Sequence, residues 1–268
     1  MMPSAQWPSG GMRWPVSGVM DQETAERIRQ GWRAELGAPT AFLGSGRHVH
    51  LRTEDDPARA GWVGVVTLGD ATCVSLPATA PAWLNDLRRR DQDADLTEPA
   101  VVATVIGPVE QFVGPATLAF LDPTAVRAHD RRQMEFIPAG HDSVRRLATA
   151  CGRHDAEESG ILAVDSSVAV RQVAGRVVAA SGYRVWHGRL AHLSVLVDPA
   201  HRGRGLGTAV ATGSVRRAVE DGLVPQWRAR RTLLASRQIA RSLGFEELGR
   251  QATYKPALPW SSPVSSPS

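Results

Sequence analysis

A chain of 268 residues, 43% hydrophobic and with a net charge of +4, is large enough for one big domain or two ordinary ones. No apolar run approaches the roughly 18 residues of a membrane span, and the opening MMPSAQWPSGGMRW has no secretory apolar stretch, so a cytoplasmic protein without a membrane partner is expected. Cys73 and Cys151 lie far apart without ligand spacing, and the arginine-rich charge forms no basic stripe interleaved with aromatics. Neither a metal nor a nucleic acid is expected.

Residues 1–11 and 257–268 are rich in Pro, Ser and Gly and read as disordered tails. Residues 12–130 form an α+β region. It opens with a helix over DQETAERIRQGWRAEL, capped by Asp21 and stopped by Gly37. Strands follow at RHVHL, WVGVVTL and ATCVSL, then a helix near 82–90, then strands at AVVATVIG and ATLAFL. His48 and His50 share a strand face, but no third ligand accompanies them, so they read as structural.

Charge replaces the apolar pattern in VRAHDRRQ, and a second domain is expected over 131–256. Its pattern predicts a strand at 135–137, a helix over DSVRRLATAC capped by Asp142 or Ser143, and a polar loop GRHDAEESG. Three antiparallel strands come next, turning at Ala174-Gly175 and His187-Gly188. Then come the loop DPAHRGRGLGTAV, a helix from Leu206, a strand LVPQWRA, a helix LLASRQIARSLGF and a last strand EELGRQATYK. The fold class is therefore α+β, with a mostly antiparallel central sheet flanked by helices.

The loop carries the chemistry. Glycines at 203, 205 and 207 remove the Cβ atoms that would keep a ligand off the backbone, and the helix behind them adds unpaired N–H groups. Together they make an anion cradle, with Arg202 and Arg204 at its rim. A dinucleotide fingerprint fails because Thr208 stands where its last glycine should be, and a Walker A loop fails for want of Gly-Lys-Ser/Thr. A plain Gly/Arg-rich surface turn is the bland alternative.

Arg202-x-x-Gly205-x-Gly207, between a strand ending VLVDP and a helix, resembles the acetyl-CoA motif of the GCN5-related N-acetyltransferases (GNAT). ASRQIARSLGFEELG is similar to that family's second signature, and the resemblance covers about 133–255. It implies that the backbone of Val195, Leu196 and Val197 pairs with the pantetheine arm, and that the amides of Gly203, Arg204, Gly205, Leu206, Gly207 and Thr208 bind the pyrophosphate. Arg202 adds charge there, and Ser236 comes near the thiol end. Two positions depart from the family: Leu233 replaces an asparagine, and Ala240 replaces the tyrosine that serves many members as acid.

The function implied is a CoA-dependent N-acyltransferase, with acetyl-CoA as co-substrate, no metal, and an amine acceptor on a small molecule or protein. The alternative is a non-catalytic acyl-CoA-binding or protein-interaction module. A homodimer is compatible with either. The family's base position falls on Ala191, which cannot serve, so His192 is the candidate base and Glu158, acting through water, stands behind it. Strand alternation turns His192 away from the face of Ala191, Val195 and Val197, which also suits a packed structural histidine. Asp155, Glu157 and Glu158 read either as a lure for a cationic amine or as a solvated loop. The region before residue 131 is expected to support solubility or shape the acceptor site, and not to bind CoA.

Overall fold

The computed structural model describes residues 20–52, 60–78, 80, 87, 94–126 and 134–257. The expected tails (Ala257 aside), the helix near 82–90 (Leu87 aside) and residues 127–133 of the expected boundary lie outside them. The elements are α1 (Gln22–Leu36), β1 (Gly46–Leu51), β2 (Val63–Leu68), β3 (Ala71–Leu76), α2 (Pro99–Ile106), β4 (Val109–Phe120), β5 (Glu135–Ile137), α3 (Asp142–Cys151) and α4 (Arg153–Ser159). They continue with β6 (Val168–Val173), β7 (Arg176–Trp186), β8 (Leu190–Val197), α5 (Leu206–Glu220), β9 (Val224–Arg230), α6 (Leu234–Ser242) and β10 (Glu246–Pro256).

Local chemistry explains most of these bounds. Asp21 accepts the Thr24 N–H at 2.8 Å and starts α1, and Gly37 ends it in the left-handed region at φ 62°. Ala174-Gly175 and His187-Gly188 all have positive φ, as tight hairpin turns require. Three readings are corrected. AVVATVIG is a helix: Pro99 opens it, Gly107 closes it, and Val102 and Ile106, four apart, bury one face. GRHDAEESG is mostly helix α4, set between Gly152 and Gly160; it buries only Ala156, so it left no apolar period to read. α3 is capped by His141, whose Nδ1 accepts the Ser143 N–H, and not by Asp142 or Ser143.

All ten strands form one sheet in the order β1-β3-β2-β10-β4-β9-β8-β7-β6-β5. Only β1/β3 and β8/β9 pair in parallel. The class is mixed α+β as expected. α1 covers one face, where Ile28, Trp32 and Leu36 meet Leu118, Phe120, Leu190, Val224 and Leu248. Gly31 permits that approach, since a Cβ there would lie 2.7 Å from Leu190 Cδ1. Farther along the same face, Val144 and Leu147 of α3 pack on Val168, Val170, Ala180 and Leu196. The other face is covered by α5 and α6 over Ala191, Leu193, Trp227 and Phe245, and by α2 over Val63, Val65 and Tyr254. Among the described residues, no helix is long and apolar enough to cross a membrane.

The boundary expected near residue 130 does not divide this sheet. β4 lies between β9 and β10, pairing Phe120 with both Gln226 and Glu246. Removing everything before residue 131 would strip both strands of that partner and Leu190 of the α1 helix that covers it. Such a truncated chain is expected to lack a cooperative thermal transition, which circular dichroism on heating would check. A cooperative melt would show that 131–256 folds alone.

Candidate active site

The site begins where two strands part. β8 and β9 pair only through Leu190, Ala191 and His192, opposite Val224, Pro225 and Gln226. Beyond that point β8 stays paired with β7 as far as Val197, and β9 stays paired with β4 as far as Arg230. The Asp198 N–H donates to Val178 O at 2.9 Å, so by alternation Asp198, Leu196 and Ser194 turn their backbone groups toward β7. Leu193, Val195 and Val197 turn theirs into the gap. Of the three residues expected to meet a pantetheine arm, Val195 and Val197 thus turn their backbone groups into the gap, where Val197 O also accepts from Arg202, whereas those of Leu196 belong to the β7 ladder.

At the end of the open strand lies the glycine loop. Gly203 and Gly205 both have φ 73°, and Gly205 caps α5. The first helical bond runs from the Ala209 N–H to Gly205 O at 3.0 Å. Among the described residues, none of the N–H groups from Gly203 to Thr208 meets a protein acceptor. Six successive unpartnered donors at a helix head favour an anion through both their hydrogen bonds and the helix dipole. Gly207 serves packing instead, because a Cβ there would come within 2.9 Å of Ile239 Cδ1 and 3.4 Å of Val197 Cγ2. Its bareness lets α5 sit against β8 and α6.

Open strand, loop, α6 and α4 enclose one cleft of about 790 Å³. Glu158, Val195, Leu196, Val197, Arg202, Gly203, Gly205, Leu206, Gly207, Thr208 and Ser236 line it; Arg204 and His192 do not. Ser236 accepts the Trp227 indole N–H at 3.0 Å. Arg202 is tethered, donating to Val197 O at 3.1 Å and pairing with Asp155 at 2.5 Å, and it holds the Asp155 carboxyl below the usual carboxylate range. Glu158 pairs with Arg230 at 2.8 Å. Leu233 lines the cleft, and Ala240 is buried. Tyr254, on the last strand, is buried with its O–H donated to Leu96 O, away from the cleft.

His192 stands on the opposite face of β8, stacked on Trp186 at 4.8 Å. The Trp32 indole N–H donates to Gln226 Oε1 at 3.0 Å, which assigns the amide and makes Gln226 Nε2 the donor to His192 Nδ1 at 3.2 Å. The proton of the neutral ring therefore sits on Nε2. Packing, with the guanidinium groups of Arg228 and Arg184 nearby, pushes this imidazole down to about 3. A ring whose one lone pair is occupied and whose proton affinity is this low does not suit the base role expected of it. Gln226 and Trp227, both central here, went unread in LVPQWRA. The available signal was a glutamine beside a tryptophan in a strand whose first three residues are apolar.

A family model described as GNAT acetyltransferase matches residues 168–254. That segment belongs to the GNAT acetyltransferases. The GNAT segment runs from β6 into β10 and contains the open strand, the loop and α6. No curated protein matches the chain. Among solved structures, a protein from Novosphingobium aromaticivorans placed in the GNAT family is similar at 23% identity over 55% of this chain and 65% of that one, with a TM-score of 0.46. A GCN5-related N-acetyltransferase-like protein from Streptococcus suis is 17% identical over 86% and 99% of the two chains, with a TM-score of 0.44. An aminoglycoside N-acetyltransferase in complex with CoA is 17% identical over 44% and 93%, with a TM-score of 0.32.

Two outcomes follow from this geometry. The folded GNAT segment keeps His192 neutral down to about pH 3, whereas an unfolded chain protonates it near ~6.5. The unfolded state binds more protons in that window, so stability falls as pH drops through it. His192→Gln is expected to flatten the decline of Tm between those limits, read by thermal melts across pH; an unchanged slope would contradict the assignment. Gly207→Val is expected to lower Tm by several degrees, because Ile239 or α5 must shift.

Proposed function

We propose that the chain is a CoA-dependent N-acyltransferase that moves an acetyl group to a primary amine. The six unpartnered amides from Gly203 to Thr208, opening into the same cleft as the unpaired edge of β8, carry this reading. They fit a pyrophosphate, with Arg204 at the rim making no ion pair among the described residues. The edge groups of Leu193, Val195 and Val197 fit the amides of a pantetheine arm as an added strand would. Acetyl-CoA supplies an activated thioester, so an amine attacks directly once both are held in place.

The chain's own residues position and move protons. Ser236 accepts from Trp227 and so keeps its O–H free to donate into the cleft, the role that Ala240 cannot fill. Glu158, at the cleft wall, receives through water the proton that the amine loses as its nitrogen bonds to the acyl carbon and the carbon–sulfur bond breaks. His192 acts as a neutral donor and not as the base. The second reading, a non-catalytic acyl-CoA-binding module, is favoured by Leu233 and Ala240.

Acetyl-CoA is expected to raise Tm by mass action, more than ATP or NADH at equal concentration. A larger shift with either nucleotide would mean that the loop serves another ligand. Asp155→Asn is expected to tighten CoA binding several-fold in calorimetry, by removing a carboxylate from beside the anion cradle, whereas Arg202→Ala weakens it. Glu158→Gln is expected to lower turnover about 10²–10⁴-fold while the CoA-induced Tm shift remains. A CoA shift with no turnover on a broad amine panel would favour the binding module.

A further inference from the structure

The face of the sheet opposite α5 and α6 is roofed by α1 near one end and by α3 and α4 near the other. Between them, among the described residues, side chains of β7 and β9 reach solvent. Register sets Arg184, His192 and Gln226 side by side across β7, β8 and β9, and Arg228, two residues past Gln226, shares their face. Arg184 and Arg228 are exposed. Trp186 stacks on His192 and meets the edge of Trp32 at 5.5 Å, walling this trough on the α1 side. Arg228 and Glu158 also line the cleft, so trough and cleft meet where β8 and β9 part. An amine entering by the trough would approach the thioester from the side that the CoA arm leaves open.

Direct ion pairs are unevenly shared along the trough. Glu158 is paired with Arg230 at 2.8 Å, Glu35 with His187 at 3.0 Å, and Asp165 accepts the Val185 N–H at 3.0 Å. Asp155, the other acid near the cleft, is held by Arg202. The two carboxylates at the cleft, Glu158 and Asp155, are thus each engaged by an arginine, whereas Glu35 and Asp165, set farther back, keep their charge. Arg184, by contrast, has no ion pair or hydrogen bond among the described residues, and Arg228 has only the side-chain oxygen of Gln251 at 3.2 Å. The His192 Nε2–H likewise meets no protein acceptor there. Arg184 and the His192 Nε2–H thus have no acceptor among the described residues, and Arg228 has one neutral acceptor, on a face that register makes common to all three. Two unpaired guanidinium groups repel a polycation and form charge-assisted bonds with an anion.

We propose that the acceptor is a primary amine that also carries an anionic group, a carboxylate or a phosphate, and that Arg184, Arg228 and the Nε2–H of His192 hold that group while the amine reaches the gap between β8 and β9. This rests on the acyltransferase reading and sharpens it, since the amine class is then set by the arginines and not by the acids of α4.

The test measures acetyl transfer from acetyl-CoA to four amines: an amino acid, phosphoethanolamine, ethanolamine and spermidine. The expected result is a kcat/KM at least about tenfold higher for one or both anionic amines than for ethanolamine, with spermidine poorest. The amino acid and phosphoethanolamine arms identify which anion fits. Arg184→Gln and Arg228→Gln are expected to raise KM for the anionic amine about tenfold or more with a small change in kcat. Arg228→Lys should recover part of the loss, and KM for ethanolamine should hold. Preference for spermidine, or an unchanged KM for the anionic amine in both variants, would overturn the inference and leave the acyltransferase reading standing. Absence of turnover with every amine would instead sink the acyltransferase reading. The same amines would then be titrated into CoA-saturated protein by calorimetry, where anionic-amine binding that Arg184→Gln abolishes supports the anion site, and no binding overturns it.

Discussion

The parting of β8 and β9 after His192 and Gln226 is the constraint on which the site depends. A strand that separates from its neighbour leaves a row of backbone donors and acceptors unpaired, and such groups are costly unless water or a ligand satisfies them. Each strand bears this on one edge only, because β7 keeps β8 and β4 keeps β9. β4 comes from the N-terminal half of the chain. Without it, β9 beyond Gln226 would have no strand on either side and nothing to hold it away from β8. The half of the chain that carries no recognisable motif therefore supports the opening that the motif-bearing half uses.

The point of parting is pinned by a buried polar chain. Trp32 donates to Gln226, and Gln226 donates to His192, with Trp32 and Gln226 fully buried. Breaking such a chain leaves a buried donor or acceptor unmet, at a cost of about 1–3 kcal/mol. The chain also ties α1 to the last paired residues of β8 and β9. Its functional consequence is a histidine made neutral and turned into a donor, in a place where sequence alone suggests a base.

The two faces of the sheet then differ in chemistry. On the α5 and α6 side, glycine and short aliphatic side chains expose backbone, which suits a long cofactor arm gripped through amides. On the other side, long arginines stand out from a bare sheet face beside Trp186. The first arrangement is sequence-tolerant except where bareness is needed, as at Gly207; the second depends wholly on which side chains the register brings together.

That difference explains what was legible. The glycine loop, the hairpin turns and the amphipathic α6 were readable because each rests on a local rule: positive φ, an absent Cβ, a 3.6-residue period. AVVATVIG misled because a β-branched run reads as a strand, while burial of Val102 and Ile106 against the sheet made it a helix. The cleft residues of the loop and of β8 were nameable because that loop and strand are contiguous in the chain. The meeting of Arg184, His192 and Arg228 was not, since they come from three strands whose register is set by long-range pairing. By itself, then, the sequence determined the cradle, whose physics is confined to a dozen consecutive residues. Only the tertiary structure decided the protonation of His192, the place of β4 within the sheet and which side chains share the trough, because each depends on groups far apart in the chain packing against one another.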